Sequence, residues 1–287
     1  MKNILLPTDF SEPSYNAMDY ALRIFDEEPC NFFVLHTYTP VVLYTSTVYE
    51  THSALDFDLE QLYKNNALEK VHAAIDRLKT ITTKNRHTFK ALSAYNVLSV
   101  EVDEVVEEYG MDCIVMGTQG ASGLKEVFVG SQTMQVIKQA KVPVIGVPAQ
   151  YAYEGLKDVL FATDYLTGVD LKGLPLLRSL CTEQISRLIF LNVYFGVALS
   201  EKQQKNKKEL DAYFKKVAHL NEMMEKVEVL EAIDQFQSKH KIDLLVLVHN
   251  KHNFFENLLF TPIVKRVVHH SQTPFMILPP VKMKTSS

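Results

Sequence analysis

Four of the chain's 10 glycines lie in one segment, Gly117-Thr-Gln-Gly120-Ala-Ser-Gly123-Leu-Lys-Glu-Val-Phe-Val-Gly130-Ser131, and none occurs before Gly110. Glycine is costly to order, so it is kept where the backbone needs a positive φ or must approach a ligand closely. The segment follows the apolar run Cys113–Met116 and leads into a helix-like stretch. A glycine loop between a buried strand and a helix N-terminus lines up backbone N–H groups, and that chemistry suits phosphate. A turn alone could use one or two of Gly117, Gly120 and Gly130, but hardly all of them at this spacing. Ser131 is expected to cap the helix and to meet phosphate as well. Gly123 reads as a flexible loop residue, and Lys125 as a solvated side chain.

Other phosphate signatures are absent from the sequence. There is no G-x-x-x-x-G-K-[ST], hence no P-loop lysine, and no G-x-G-x-x-G follows a strand. The 287 residues suit two domains of typical size, and 47% hydrophobic with 22% charged residues can bury a core. A formal charge of -4 leaves no electrostatic footprint for nucleic acid or an anionic membrane. Cys30, Cys113 and Cys181 are too scattered for a disulfide framework or a zinc ribbon. The start, Met1-Lys-Asn-Ile-Leu-Leu-Pro7, reads as a strand rather than a signal peptide, and no apolar run approaches a membrane span. A cytoplasmic protein is the expectation.

The elements that must position the loop occur twice. Asn3-Ile-Leu-Leu-Pro-Thr-Asp9 returns as Asp158-Val-Leu-Phe-Ala-Thr-Asp164, and Phe33-Val-Leu-His36-Thr-Tyr38 as Ile189-Phe-Leu-Asn192-Val-Tyr194. Met111–Met116 returns as Ile242–Leu247, and Val142–Pro148 as Thr273–Pro279. The order is conserved between the halves, which predicts a tandem duplication with domains at 1–150 and 151–287. In the first half, strands are expected at Asn3–Leu6, Phe32–Thr37, Thr88–Ser93, Cys113–Met116 and Val142–Val147. Helices are expected at Ser11–Phe25, Leu59–Thr80, Ser99–Tyr109 and Gln132–Ala140. Strands apolar on both faces, alternating with helices, predict an α/β doubly wound parallel sheet in each half. Ligands then bind at the strands' C-terminal edge. His36 to Cys113 spans 77 positions but Asn192 to Leu244 only 52, so the second half is a trimmed copy.

The spacing G-x2-G-x9-G-S resembles the nucleotide-binding signature of the universal stress protein family at every fixed position, and the resemblance extends over both halves. It implies two Rossmann-like domains of the adenine nucleotide alpha hydrolase type, with ATP or AMP bound in the first and Mg as an accompanying ion. The strand-one acid then sits beside the nucleotide, the end of strand two lies against adenine, and the glycine loop holds the phosphates. The positions concerned are Pro7, Thr8, Asp9, His36, Thr37, Met116, Gly117, Gly120, Gly130, Ser131 and Gln132. Asp9 could instead be a helix N-cap, and His36 a packed or water-bonded histidine. The resemblance implies a stress-response or signalling role. A slow ATP hydrolase, with Asp9 and Ser131 the loop's only chemical candidates, and a nucleotide-free scaffold are the alternatives. In the family the last strands join separate domains into a dimer. Val142–Val147 and Phe275–Leu278 are therefore expected to form an internal pseudo-dimer, and a homo-oligomer is left open.

The second half has lost the signature. Aligned through Pro143 and Pro274, the positions of Gly117, Gly120, Gly130 and Ser131 hold Val248, Lys251, Thr261 and Pro262. Asp164 survives at the Asp9 position. His249-x2-His252 has a spacing compatible with metal ligation, but no cysteine or acidic residue accompanies it at a recognised ligand spacing, adjacent His269 and His270 point different ways on a helix, and no metal site is expected. The apolar stretch Phe254–Phe260 could plug the vacant cleft. The tyrosine- and threonine-rich segment Tyr38–Phe57 reads as a lid or a solvated loop.

Overall fold

Short apolar runs closed by polar or proline punctuation become the inner strands, while the two edge strands are more polar. The computed structural model describes residues 1–38, 52–82, 86–119, 130–194, 196–225, 228–249 and 273–279, with 52–60 as helical backbone. The bodies of the glycine loop and of the Tyr38–Phe57 segment, the apolar stretch 254–260, and His252, His269 and His270 lie outside the described residues. The first half runs β1 (Lys2–Pro7), α1 (Glu12–Ile24), β2 (Cys30–Tyr38), α2 (His52–Ile81), β3 (Thr88–Tyr95), α3 (Leu98–Tyr109), β4 (Cys113–Gly117), α4 (Ser131–Gln139) and β5 (Val144–Val147). The second runs β6 (Asp158–Ala162), α5 (Leu174–Glu183), β7 (Arg187–Tyr194), α6 (Glu201–Tyr213), β8 (His219–Glu225), α7 (Val229–Lys239), β9 (Leu244–Val248) and β10 (Phe275–Leu278).

All the strands join one ten-stranded sheet in the order β3-β2-β1-β4-β5-β10-β9-β6-β7-β8. The second half's order mirrors the first about the β5–β10 seam. Neighbours are parallel except at that seam, where Phe275 faces Gly146, Met276 faces Ile145 and Ile277 faces Val144 antiparallel. Ile4, Leu5 and Leu6 are all fully buried, as parallel strands covered by helices on both faces require. Alternation splits them: Ile4 and Leu6 pack in one core layer with Phe32 and Phe161, while Leu5 packs in the other with Phe33 and Leu160. Both layers therefore run through residues of both halves.

The structure moves several expected boundaries. β5 begins at Val144 rather than Val142, because Pro143 lacks an N–H for the ladder and contributes only its carbonyl, to Ile114 N at 2.9 Å. α2 begins at His52 rather than Leu59; the run Ser-Ala-Leu-Asp-Phe-Asp-Leu holds no glycine or proline to stop it. α1 starts as expected: Ser11 is extended, its side chain accepts from Ser14 N, and Pro13 lies in the first turn. Most of the trimming of the second half falls on one helix, 30 residues long in α2 and 13 in α6, and the rest mainly on the connection before it.

Candidate functional site

β1 has β2 on one side and β4 on the other, so the chain leaves the sheet in opposite directions at their C-terminal ends and a crevice opens there. The turn after β1 is built by its own side chains. Thr8 Oγ1 accepts from Phe10 N at 2.9 Å, and Asp9 Oδ1 accepts from Ser11 N at 3.1 Å and Ser11 Oγ at 2.5 Å. These bonds hold Phe10 at φ 63, a left-handed conformation uncommon for a bulky residue. His36, near the end of β2, places Nδ1 2.8 Å from the Thr8 carbonyl. Asp9 thus belongs to the turn before the helix, and the cap itself is Ser11.

Across the crevice, Gly130 N donates to Thr118 O at 2.7 Å and Thr133 Oγ1 donates to Gly117 O at 2.9 Å. Together they pin the start of α4 to the end of β4. Ser131 does not cap the helix, contrary to expectation. It is the first helical residue, the cap position is Gly130, and no side-chain cap bond is made among the described residues. The leading N–H groups of a helix have no intrahelical partner, so an uncapped end presents them, with the positive end of the helix dipole, to whatever lies in front.

A cavity of about 270 Å³ occupies this crevice, at the small end of the size of ligand pockets. Its walls include Pro7, Thr8, Asp9, His36, Thr37, Met116, Gly117, Gly130, Ser131 and Gln132. Of the positions expected to hold the nucleotide, only Gly120 is not placed, because it lies outside the described residues. Sequence reasoning missed Ser14, Leu98, Gln119 and Thr133, which also line the cavity. Thr133 was open to inference, since it lies in the first turn of α4. Leu98 needed the position of β3 beside β2, and no local signal carries that.

The family model of the universal stress proteins matches residues 1–148 and 190–279. The chain belongs to the universal stress protein family. Two universal stress proteins of Methanocaldococcus jannaschii are similar to it. One is 26% identical over 152 residues, covering 50% of this chain and 93% of that protein. The other is 30% identical over 147 residues, covering 50% and 80%. Along its whole length the fold is similar to the crystal structure of a universal stress protein from Archaeoglobus fulgidus, with TM-score 0.64, 18% identity and coverage of 98% of this chain and 97% of that one. Two universal stress protein units therefore stand in tandem.

The second unit repeats the framework of the turn. Thr163 Oγ1 accepts from Tyr165 N at 3.0 Å, Tyr165 sits at φ 57, Asp164 Oδ1 accepts from Leu166 N at 2.9 Å, and Asn192 Nδ2 donates to Thr163 O at 2.8 Å. What differs is the surroundings. From α6, Gln203 donates to Asp164 O at 2.8 Å and Asn206 donates to Tyr165 O at 2.8 Å, so the turn's carbonyls are bound by protein. Val248, buried, stands where the first unit has Gly117. Lys251, Thr261 and Pro262 lie outside the described residues. No cluster of three metal-ligating side chains occurs among the described residues, and none of their helices is long and apolar enough to cross a membrane.

Proposed function

We propose that the first universal stress protein unit binds an adenine nucleotide, ATP or AMP with Mg as an accompanying ion, and that the chain acts in a cytoplasmic stress response or in signalling. Gly130 carries this reading. It has φ -55, which any residue adopts, so its backbone conformation gives no reason for glycine. Gly117 is different: a Cβ there would stand 2.9 Å from the Pro13 carbonyl oxygen, so packing alone excludes a side chain. At Gly130 the cap carries no side chain, and none of the described side chains caps the leading N–H groups of α4 at the cavity wall. That suits phosphate oxygens at Ser131 and Gln132, with Asp9, His36 and Thr37 at the base and sugar end. The bound nucleotide would supply the ligand-dependent state that a signalling protein reports.

The unit boundary is read at residues 150 and 151, between β5 and β6. The antiparallel β5–β10 pair is read as a family-type dimer contact satisfied within one chain, and it buries edge strands that would otherwise invite pairing. Mass spectrometry of small molecules released from the native protein tests the function. An adenine nucleotide is expected. If the purified protein neither releases one nor takes up added ATP or AMP, the reading fails and the nucleotide-free scaffold takes its place.

A further inference from the structure

We infer that Nε2 of His36 selects the base of the nucleotide, accepting a hydrogen bond from the exocyclic amine of adenine and turning away bases with a carbonyl at that position. The inference rests on the adenine-nucleotide reading of the same cavity. It begins with the other ring nitrogen. Nδ1 lies 2.8 Å from the Thr8 carbonyl oxygen, and a carbonyl only accepts, so Nδ1 carries the proton. The duplication supports the assignment independently. At the matching position Asn192 makes the same contact through its amide nitrogen, Nδ2 to Thr163 O at 2.8 Å, and an amide nitrogen only donates. Both units therefore use this residue to donate to the end of their first strand.

The two residues differ beyond that bond. Neutral imidazole has one N–H, so a donor at Nδ1 leaves a lone pair at Nε2. Asparagine stops short of where Nε2 stands. The Phe10 ring lies against the imidazole, with centroids 4.4 Å apart and an interplanar angle of 44°. Nδ1 is tied, one face is covered, and His36 lines the cavity. The ring cannot turn to exchange its acceptor for a donor without breaking the bond to Thr8. Adenine offers an N–H donor from its exocyclic amine, whereas guanine and hypoxanthine place a carbonyl oxygen at the corresponding position, acceptor against acceptor. A hydrogen bond gained against an acceptor left unpaired corresponds to about tenfold in affinity.

His36→Asn tests this, because it installs the second unit's own solution and keeps the donor to Thr8 while removing Nε2. Calorimetry at pH 8 with ATP and ITP, on the parent and the variant, is expected to give the parent a preference for ATP of about tenfold. The variant is expected to bind both at the parent's ITP level. An unchanged preference in a folded variant overturns the inference and leaves the nucleotide reading intact. A parent that binds neither nucleotide overturns both. If the variant does not fold, ¹⁵N NMR of the parent imidazole decides: the Nε2 resonance is expected to move toward hydrogen-bonded values with ATP and not with ITP. An Nε2 resonance indifferent to ATP, or one already protonated in the free protein, overturns the inference.

Discussion

Gly117 and Gly130 look alike in the sequence and are kept for different reasons. Packing against the Pro13 carbonyl excludes any side chain at Gly117. The ordinary φ of Gly130 shows that backbone conformation is not what calls for glycine there. Spacing picked out both residues but could not separate their causes, which depend on where α1 starts relative to the end of β4. Ser131 was misjudged for a related reason: the serine beside a helix start reads as its cap, but the chain is already helical when it reaches it. Tyr20 was invisible as a point of interest. Its side chain is 2% exposed, its hydroxyl has no hydrogen-bond partner among the described residues, and the rings of Tyr151 and Tyr153 meet it edge-on. Burial pushes its ionisation well above the ordinary range. A buried hydroxyl without a partner contributes little and costs its desolvation. Tyr20→Phe is therefore expected to be neutral or to stabilise by up to about 1 kcal/mol in urea unfolding. A loss of more than that would mean the hydroxyl has a partner after all.

Between elements, the strand pattern was the most legible part of the sequence, because fully buried parallel strands leave unbroken apolar runs. Helix and strand ends shifted by a few residues where Pro143 or a polar helical turn set the limit. The strands of the seam were expected from the resemblance, but their antiparallel register and packing needed the structure. Gly146 faces Phe275 across it, and a Cβ on Gly146 would stand 2.3 Å from the phenyl ring, so the ring occupies the place of the missing side chain. A second contact between the halves carries charge. From the first half Lys2 and Glu28, and from α5 Ser179 and Glu183, meet in one cluster. Lys2 lies 3.4 Å from Glu183 and is paired with Glu28, while Ser179 Oγ donates to Glu28 at 3.2 Å. Hydrogen bonding to Glu183, with Lys2 beside it, lowers Glu28 to about 2. Burial, and then the neighbouring Glu28, raise Glu183 above the usual carboxylate range. Of the two carboxyls, the more buried Glu183 is the more readily protonated.

The two shifts act on stability in opposite directions. The contribution of Glu183 is complete below the unfolded glutamate value of about 4.3 and is lost as pH rises through its raised folded value. That of Glu28 is present above about 4.3 and is lost as pH falls through about 2. Glu183→Gln keeps the size of the side chain and has no ionisable proton to lose. Thermal unfolding of the parent from about pH 4.5 to 8 should include a decline that this variant lacks. Parallel profiles for the two proteins would show that Glu183 is already ionised at the lower limit.

At the scale of the molecule, duplication produced two copies of one turn and preserved the unusual backbone of both, Phe10 at φ 63 and Tyr165 at φ 57. The sequence repeat predicted the tandem units, and the resemblance an internal joining of their last strands, but the strand order of the single sheet needed the structure. The single sheet follows from two short antiparallel strands, and nothing in their composition separates pairing inside the chain from pairing between chains. The asymmetry of the clefts was legible in the lost glycines. Its structural counterpart, Gln203 and Asn206 of α6 bound to the carbonyls of the second turn, was not. We propose that the nucleotide sits at the start of α4 in the first unit and that the second unit takes none. Gly130→Asp suits the test because the backbone there already accepts a side chain, while the added carboxylate would stand where phosphate should. The decisive measurement is equilibrium dialysis of the full chain against labelled ATP, beside this variant. The account predicts saturation at one equivalent per chain and loss of uptake in Gly130→Asp; two equivalents, or undiminished uptake by the variant, would contradict it.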